Sequence, residues 1–152
     1  MNKLLILSIL TYLFSTSIFA SDHEIVTPII IHDAKIIRIT DGDTVVIRAN
    51  WIPDPLKKEI SIKIFNIDTP EKDQRSKCQI ENQLHFGSSL FTKRVIDQST
   101  KQQVIFVNWD KVGIRIRGDI LLDGQSLRKM LIDGGFAKEY VESEKYDWCK
   151  RP

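Results

Sequence analysis

The sequence predicts a β-rich α+β domain of five short strands and two helices, in the order three strands, helix, two strands, helix. Three features point to it. Runs of β-branched residues alternate with polar ones, the periodicity turns helical after residue 78, and Asp-Gly and Gly-Gly pairs stand where the chain must turn. This order fits a small closed Greek-key barrel. It fits an open α+β sheet equally well, and the pattern does not choose between them.

The chain begins with Met1-Asn2-Lys3, a short positive start, followed by an apolar run from Leu4 to Phe14 and a small residue at Ala20. That is the layout of a signal peptide cleaved after Ala20, too short in its apolar part to span a bilayer. It predicts export to the periplasm or the cell exterior, with no stable membrane association after cleavage. Residues 21–34 read as an N-terminal arm, and residues 35–152 as one domain with a single core, expected to act as a monomer. The whole chain carries 22 basic and 20 acidic residues, a net charge of +2. Loss of the leader removes only Lys3, so any basic surface must be local.

Ile29 to Ile39 is rich in isoleucine and predicts a strand, interrupted near His32-Asp33. Asp41-Gly42-Asp43 is turn chemistry, and Thr44 to Arg48 resumes a strand. Trp51 to Glu59 carries Pro53 and Pro55 and predicts a loop. Ile60 to Ile67 gives a third strand, ended by Asp68-Thr69-Pro70, and Glu71 to Lys77 a charged loop. From Gln79 to Ile96, Ile80, Leu84, Phe91 and Val95 lie along one helical face, expected to meet the core, with Lys93 and Arg94 away from it. Gln103 to Trp109 and Ile114 to Leu122 are two further strands. On the second, Ile114, Ile116, Ile120 and Leu122 share one side and Arg115, Arg117 and Asp119 the other. Asp123-Gly124 turns the chain, and Ser126 caps a short helix carrying Leu127, Met130 and Leu131, closed by Gly134-Gly135.

Cys78 and Cys149 are the only cysteines. In an exported chain they are expected to pair, pinning the C-terminal tail to the loop before the first helix. Two cysteines without neighbouring histidines make a poor zinc site.

The chemistry concentrates at two turns, Asp41-Gly42-Asp43-Thr44 and Ile67-Asp68-Thr69-Pro70-Glu71, each at a strand boundary. Asp43, Asp68, Glu71 and the Thr69 carbonyl are hard oxygen donors of the kind calcium takes, although aspartates also serve simply to cap turns. Arg115 and Arg117 project from one strand face, and a guanidinium fork suits a phosphate. For Arg117, a solvated position balanced by Asp119 is the simpler reading. His23, His32 and His85 have no metal or triad spacing.

Asp41-Gly42-Asp43-Thr44-Val45 followed by Ile67-Asp68-Thr69-Pro70-Glu71 closely resembles the signature of staphylococcal nuclease and its secreted relatives. The similarity continues through Phe91-Thr92-Lys93-Arg94, Arg115-Ile116-Arg117-Gly118-Asp119, Asp123-Gly124 and Gly135-Phe136-Ala137-Lys138. Cys78 and Trp148-Cys149 resemble the cysteine pair of an exported branch. The resemblance implies a five-stranded OB-fold-type Greek-key barrel with two to three α-helices, and a calcium-dependent nuclease acting on DNA, RNA or both. It implies that Asp43 and Asp68 bind Ca2+ by side chain and Thr69 by its carbonyl. Glu71 would orient or deprotonate the attacking water, and Arg115 would hold the scissile phosphate.

Two positions depart from the family pattern. Lys63 stands five residues before Asp68, where the family usually has a second phosphate-binding arginine. Lysine keeps the charge without the planar fork, so Lys63 is the expected third member of the catalytic set with Glu71 and Arg115. An unbroken strand would turn Lys63 and Asp68 to opposite faces, so a bulge or bend must intervene. Asp110-Lys111-Val112-Gly113-Ile114 also has one extra residue before Arg115 and lacks the usual tyrosine, leaving Tyr140 or Trp109 as candidates for base stacking, although an aromatic more often belongs to the core. The alternative function is a weakly active or inactive OB-fold module that binds nucleic acid or another anion.

Overall fold

The computed structural model describes residues 30–51, 59–110, 115–140 and 145–150. The predicted leader, the arm as far as residue 29, the proline loop at 52–58 and the approach to Arg115 at 111–114 lie outside them.

The strands are β1 (Ile31–Asp33), β2 (Lys35–Asp41), β3 (Thr44–Arg48), β4 (Glu59–Ile64), β5 (Ile67–Asp68), β6 (Gln102–Trp109), β7 (Arg115–Leu122), β8 (Gln125–Ser126) and β9 (Lys138–Glu139). The helices are α1 (Gln79–Gln98) and α2 (Leu127–Asp133), with a 3-10 turn at Asp73–Arg75. The predicted isoleucine strand is broken, but at Ala34 and not at His32-Asp33, which belong to β1. One seven-stranded sheet has the order β1-β6-β7-β4-β3-β2 with β8 beside β7, and β5 pairs separately with β9. The β4–β7 ladder is parallel and the others are antiparallel.

This is an OB-like α+β fold, but its sheet is not closed into a barrel. The two edges, β1 and β2, are consecutive pieces of one segment split by Ala34, so they cannot pair with each other. Instead Ala34 N–H donates to the Gln102 carbonyl at 3.1 Å, and Ile36 N–H donates to Gln102 Oε1 at 2.8 Å. One glutamine thus ties the β2 edge to β6 where a ladder would otherwise run.

The inner face of the sheet forms the core. Val45, Ile47, Ile62, Ile64, Val104, Ile116, Ile120 and Leu122 are buried, with Leu127 and Leu131 of α2 packed on them. Each such side chain contributes about 1.5–3 kcal/mol by leaving water. Asp123 (φ 50°) and Gly124 (φ 84°) form the two-residue connection from β7 to β8, the left-handed pair a tight hairpin requires. Ser126 caps α2 by accepting from Lys129 N–H at 3.0 Å, as the sequence predicts.

The expectation for α1 needs correction. Its buried residues are Glu81, His85, Ser88, Thr92 and Ile96, whereas Ile80 and Leu84 are 37% and 42% exposed. Phe91 and Val95 only flank the core. Among the described residues no helix is long and apolar enough to cross a membrane.

Candidate active site

Lys63 and Asp68 reach the same side because the strand between them is broken. β4 ends at Ile64, the chain turns through Phe65-Asn66, and β5 begins at Ile67. Asn66 takes φ 51°, a left-handed conformation that asparagine tolerates better than most residues. The bend demanded by the sequence is therefore present, and both side chains line one cleft of about 480 Å3.

Helix α1 supports both acidic turns through its polar face. Thr92 Oγ1 donates to the Gly42 carbonyl at 2.6 Å. His85 Nδ1 donates to the Pro70 carbonyl at 3.1 Å. The Glu81 carboxylate accepts from Glu71 N–H at 3.3 Å and from Lys77 N–H at 2.6 Å. Ser88 lies so near the first turn that a Cβ on Gly42 would come within 2.4 Å of its hydroxyl. Turns expose backbone donors and acceptors, and an apolar stripe would leave them unsatisfied. This is why the buried face of α1 is polar.

A third support comes from the C-terminal tail. Trp148 indole N–H donates to Asp68 Oδ2 at 3.0 Å, and Tyr146 N–H donates to the same oxygen at 3.2 Å. Lys145 Nζ donates to Glu71 Oε1 at 2.7 Å. The tail is held by the Cys78–Cys149 disulfide, and Cys78 is also the N-cap of α1, its sulfur accepting from Glu81 N–H at 3.4 Å. The expected disulfide therefore joins the two elements that flank Asp68 and Glu71. A cross-link closing a loop of this size stabilises by up to roughly 4 kcal/mol in the chain-entropy picture.

Asp43, Lys63, Asp68, Thr69, Glu71 and Arg115 all line the cleft. Asp43 is 2% exposed; its Oδ2 accepts from Lys63 Nζ at 2.5 Å and its Oδ1 from Thr44 Oγ1 at 2.8 Å. Burial pushes the Asp68 carboxyl above its ordinary pKa, with the negative charge of Asp43 adding to the rise. The Trp148 indole, the Lys145 ammonium and the Tyr146 amide oppose that shift. Glu71 lies between Lys145 and Arg75, whose Nε is 3.3 Å away. The Lys145 pKa is raised, first by its bond to Glu71. Arg115 Nε lies 3.2 Å from Asp110 Oδ2.

A family model described as "Staphylococcal nuclease homologue" matches residues 61–150. The chain belongs to that family. For a staphylococcal nuclease homologue the matched stretch holds Lys63, Asp68, Thr69, Glu71, Arg115 and both cysteines. Asp43 lies before it and joins the site through the fold, by β3 pairing Thr44 opposite Lys63. No curated protein matches the chain closely enough to be reported as a relative.

The carboxylates of the cleft are oxygen donors, the type a hard divalent cation takes. Two buried carboxylates, Asp43 and Asp68, are near enough for the charge of one to raise the pKa of the other, and an ammonium already sits on Asp43. Among the described residues no group of three or more Asp, Glu, His or Cys side chains is gathered as a metal site. The further oxygen donor at the cleft is the Thr69 carbonyl, of the kind calcium accepts.

The sequence reading gave no site role to Arg75, Lys145, Tyr146 or Trp148, although Trp148-Cys149 marked the tail. It missed His85, whose role is to hold a turn. It also paired Arg117 with Asp119, and the structure overturns this. Asp119 is buried and turned to the α2 side, accepting from Ser126 Oγ at 2.5 Å, Ile120 N–H at 2.8 Å and Arg128 N–H at 3.1 Å. Of the two stacking candidates, Tyr140 lines the cleft, whereas Trp109 packs edge-on against Phe106.

Proposed function

We propose that this protein is an exported, calcium-dependent nuclease that hydrolyses phosphodiester bonds of DNA, RNA or both, acting as a monomer. The observation that carries the reading is the single cleft lined by Asp43, Asp68, Glu71 and Arg115. Membership of the family supports nucleic acid as the substrate. Export rests on the N-terminal sequence and agrees with the disulfide, a bond that persists in oxidising compartments.

Asp43, Asp68 and the Thr69 carbonyl would hold the calcium ion. The chemistry it would supply there is Lewis-acid polarisation of the phosphoryl group. Glu71 orients a water and takes its proton as the oxygen attacks phosphorus; one ester P–O bond breaks as the new bond forms, and the departing oxygen leaves as an alcohol after taking a proton from water. Lys145 and Arg75 fix the carboxylate of Glu71, and α1 fixes its backbone through Glu81. Arg115 binds the scissile phosphate, and its guanidinium favours the transition state in which charge builds on the phosphate oxygens. Asp68 must be ionised to serve as a ligand, and the indole of Trp148 helps to keep it so.

The test is cleavage of denatured DNA and RNA by the disulfide-bonded protein, with calcium and then with chelator. Glu71→Gln, which keeps the shape of the side chain, should lower calcium-dependent cleavage by about 10²–10⁴-fold. Retention of nucleic acid without cleavage by the wild-type chain would overturn the enzymatic reading in favour of an OB-fold binding module.

A further inference from the structure

We infer that Arg117 supplies the second cation that grips the phosphodiester, in place of Lys63. The inference deepens the reading above and rests on it for the identity of the ligand.

Lys63 is committed elsewhere. Its ammonium is 2.5 Å from Asp43 Oδ2, so without calcium it neutralises the carboxylate that the reading above gives to the ion, and the binding test is accordingly made in chelator. The other cations around the cleft are engaged in the same way. Arg115 is paired with Asp110, Lys145 with Glu71, and Arg75 with both Glu71 and Asp41. Arg117 lines the same cleft and has no ion pair among the described residues.

The ladder explains its isolation. In parallel pairing, Lys63 stands beside Arg117 and Ser61 beside Arg115, while Ile62 and Ile116 between them point into the core. On its other side Arg117 faces Asn108, which is neutral. Its in-register neighbours are thus a like charge and an amide, and like charges side by side on a sheet are destabilising. Asp119, the nearest acid along the strand, points away to the α2 side. An anion entering the cleft relieves that repulsion. A phosphodiester offers the paired oxygens that a guanidinium fork binds and an ammonium does not. Arg115 and Arg117, two residues apart on one strand face, then present two forks to one substrate backbone, one of them without having to leave a carboxylate.

The inference is tested with Arg117→Met and Lys63→Met, which keep apolar bulk and remove one charge each. Binding of a single-stranded oligothymidylate is measured in chelator across a range of salt, and cleavage of single-stranded DNA is measured with calcium. Arg117→Met should flatten the slope of log affinity against log salt by about 0.7, the value for one lost contact to a single strand, whereas Lys63→Met should leave it unchanged. Arg117→Met should also lower kcat/KM by roughly ten- to hundredfold, the loss expected of one charge-assisted hydrogen bond, with Arg117→Lys restoring the slope but not the full rate. An Arg117→Met protein with wild-type slope and wild-type kcat/KM would overturn the inference, as would failure of the wild-type chain to bind the oligonucleotide. If the wild-type chain binds but does not cleave, the nuclease reading fails alone, and the salt slopes still decide the role of Arg117.

Discussion

The two helices bury opposite kinds of surface. Helix α2 buries Leu127 and Leu131 one turn apart and seals the core. Helix α1 is 20 residues long, yet four of its five buried side chains are Glu81, His85, Ser88 and Thr92. The difference lies in what each helix rests on. Helix α2 meets the apolar face of the sheet, where dispersion and release of water suffice. Helix α1 lies across two turns, where backbone groups need partners and the closest approach leaves room only for glycine against serine. A packing helix can be exchanged for another of similar shape; a helix that holds turns must match them atom by atom.

Breaking each helix at its own kind of contact should separate the two. The largest effect is expected from Leu131→Ala, which empties a fully buried site of α2 and should cost about 2–5 kcal/mol of stability. Cleavage per folded molecule should stay unchanged, since Leu131 belongs to the core and does not line the cleft. Thr92→Val should cost about 1–3 kcal/mol, because it leaves the buried Gly42 carbonyl without its donor. Here cleavage should fall even among folded molecules, as the turn carrying Asp43 loosens. Equal specific activities in the two variants, after correction for the folded fraction, would dissolve the contrast.

The smallest effect belongs to the joint between the helices. Asp123, in the turn leading to α2, accepts from Thr100 Oγ1 and from the amides of Thr100 and Lys101 just beyond α1. Those bonds, the Lys101 amide first, hold its carboxyl below the ordinary value of 3.8. A carboxylate whose pKa is depressed by folding stabilises above its unfolded value and loses that contribution as pH falls through the folded one. The contribution is therefore complete at neutral pH and disappears only on the acid side of 3.8. Asp123→Asn should flatten that acid limb of the melting temperature against pH. An unaltered limb would show that the exposed carboxylate contributes nothing there.

The two acidic turns were legible because chemistry and geometry coincide in them. Asp-Gly-Asp and Asp-Thr-Pro-Glu each need their residues adjacent in sequence, so the motifs carry residues that line the cleft. The bend between Lys63 and Asp68 was legible for a simpler reason: strand alternation would otherwise separate them. The α1 stripe was misread because hydrophobic periodicity presumes an apolar partner. Nothing in Ile80, Leu84, Phe91 and Val95 tells that the helix rests on backbone. The pairing of Arg117 with Asp119 was misread because the two side chains, although two apart on one strand, meet different neighbours. The sheet also differs from a closed barrel at one place, where Gln102 rather than a ladder bridges its edges.

Local chemistry alone determined the order of the longer strands and the two helices, the turn at Asp123-Gly124 and the capping by Ser126, while the short pairs β8 and β9 left no local signal. These follow from propensity, periodicity and side-chain type, which act over a few residues at a time. Only the tertiary structure decided which face of α1 is buried, that Trp148 and Lys145 reach Asp68 and Glu71 from the far end of the chain, and which cations are already paired. Those outcomes depend on which distant groups arrive at the same place. Charges and hydrogen-bond donors are indifferent to sequence separation once the chain has folded.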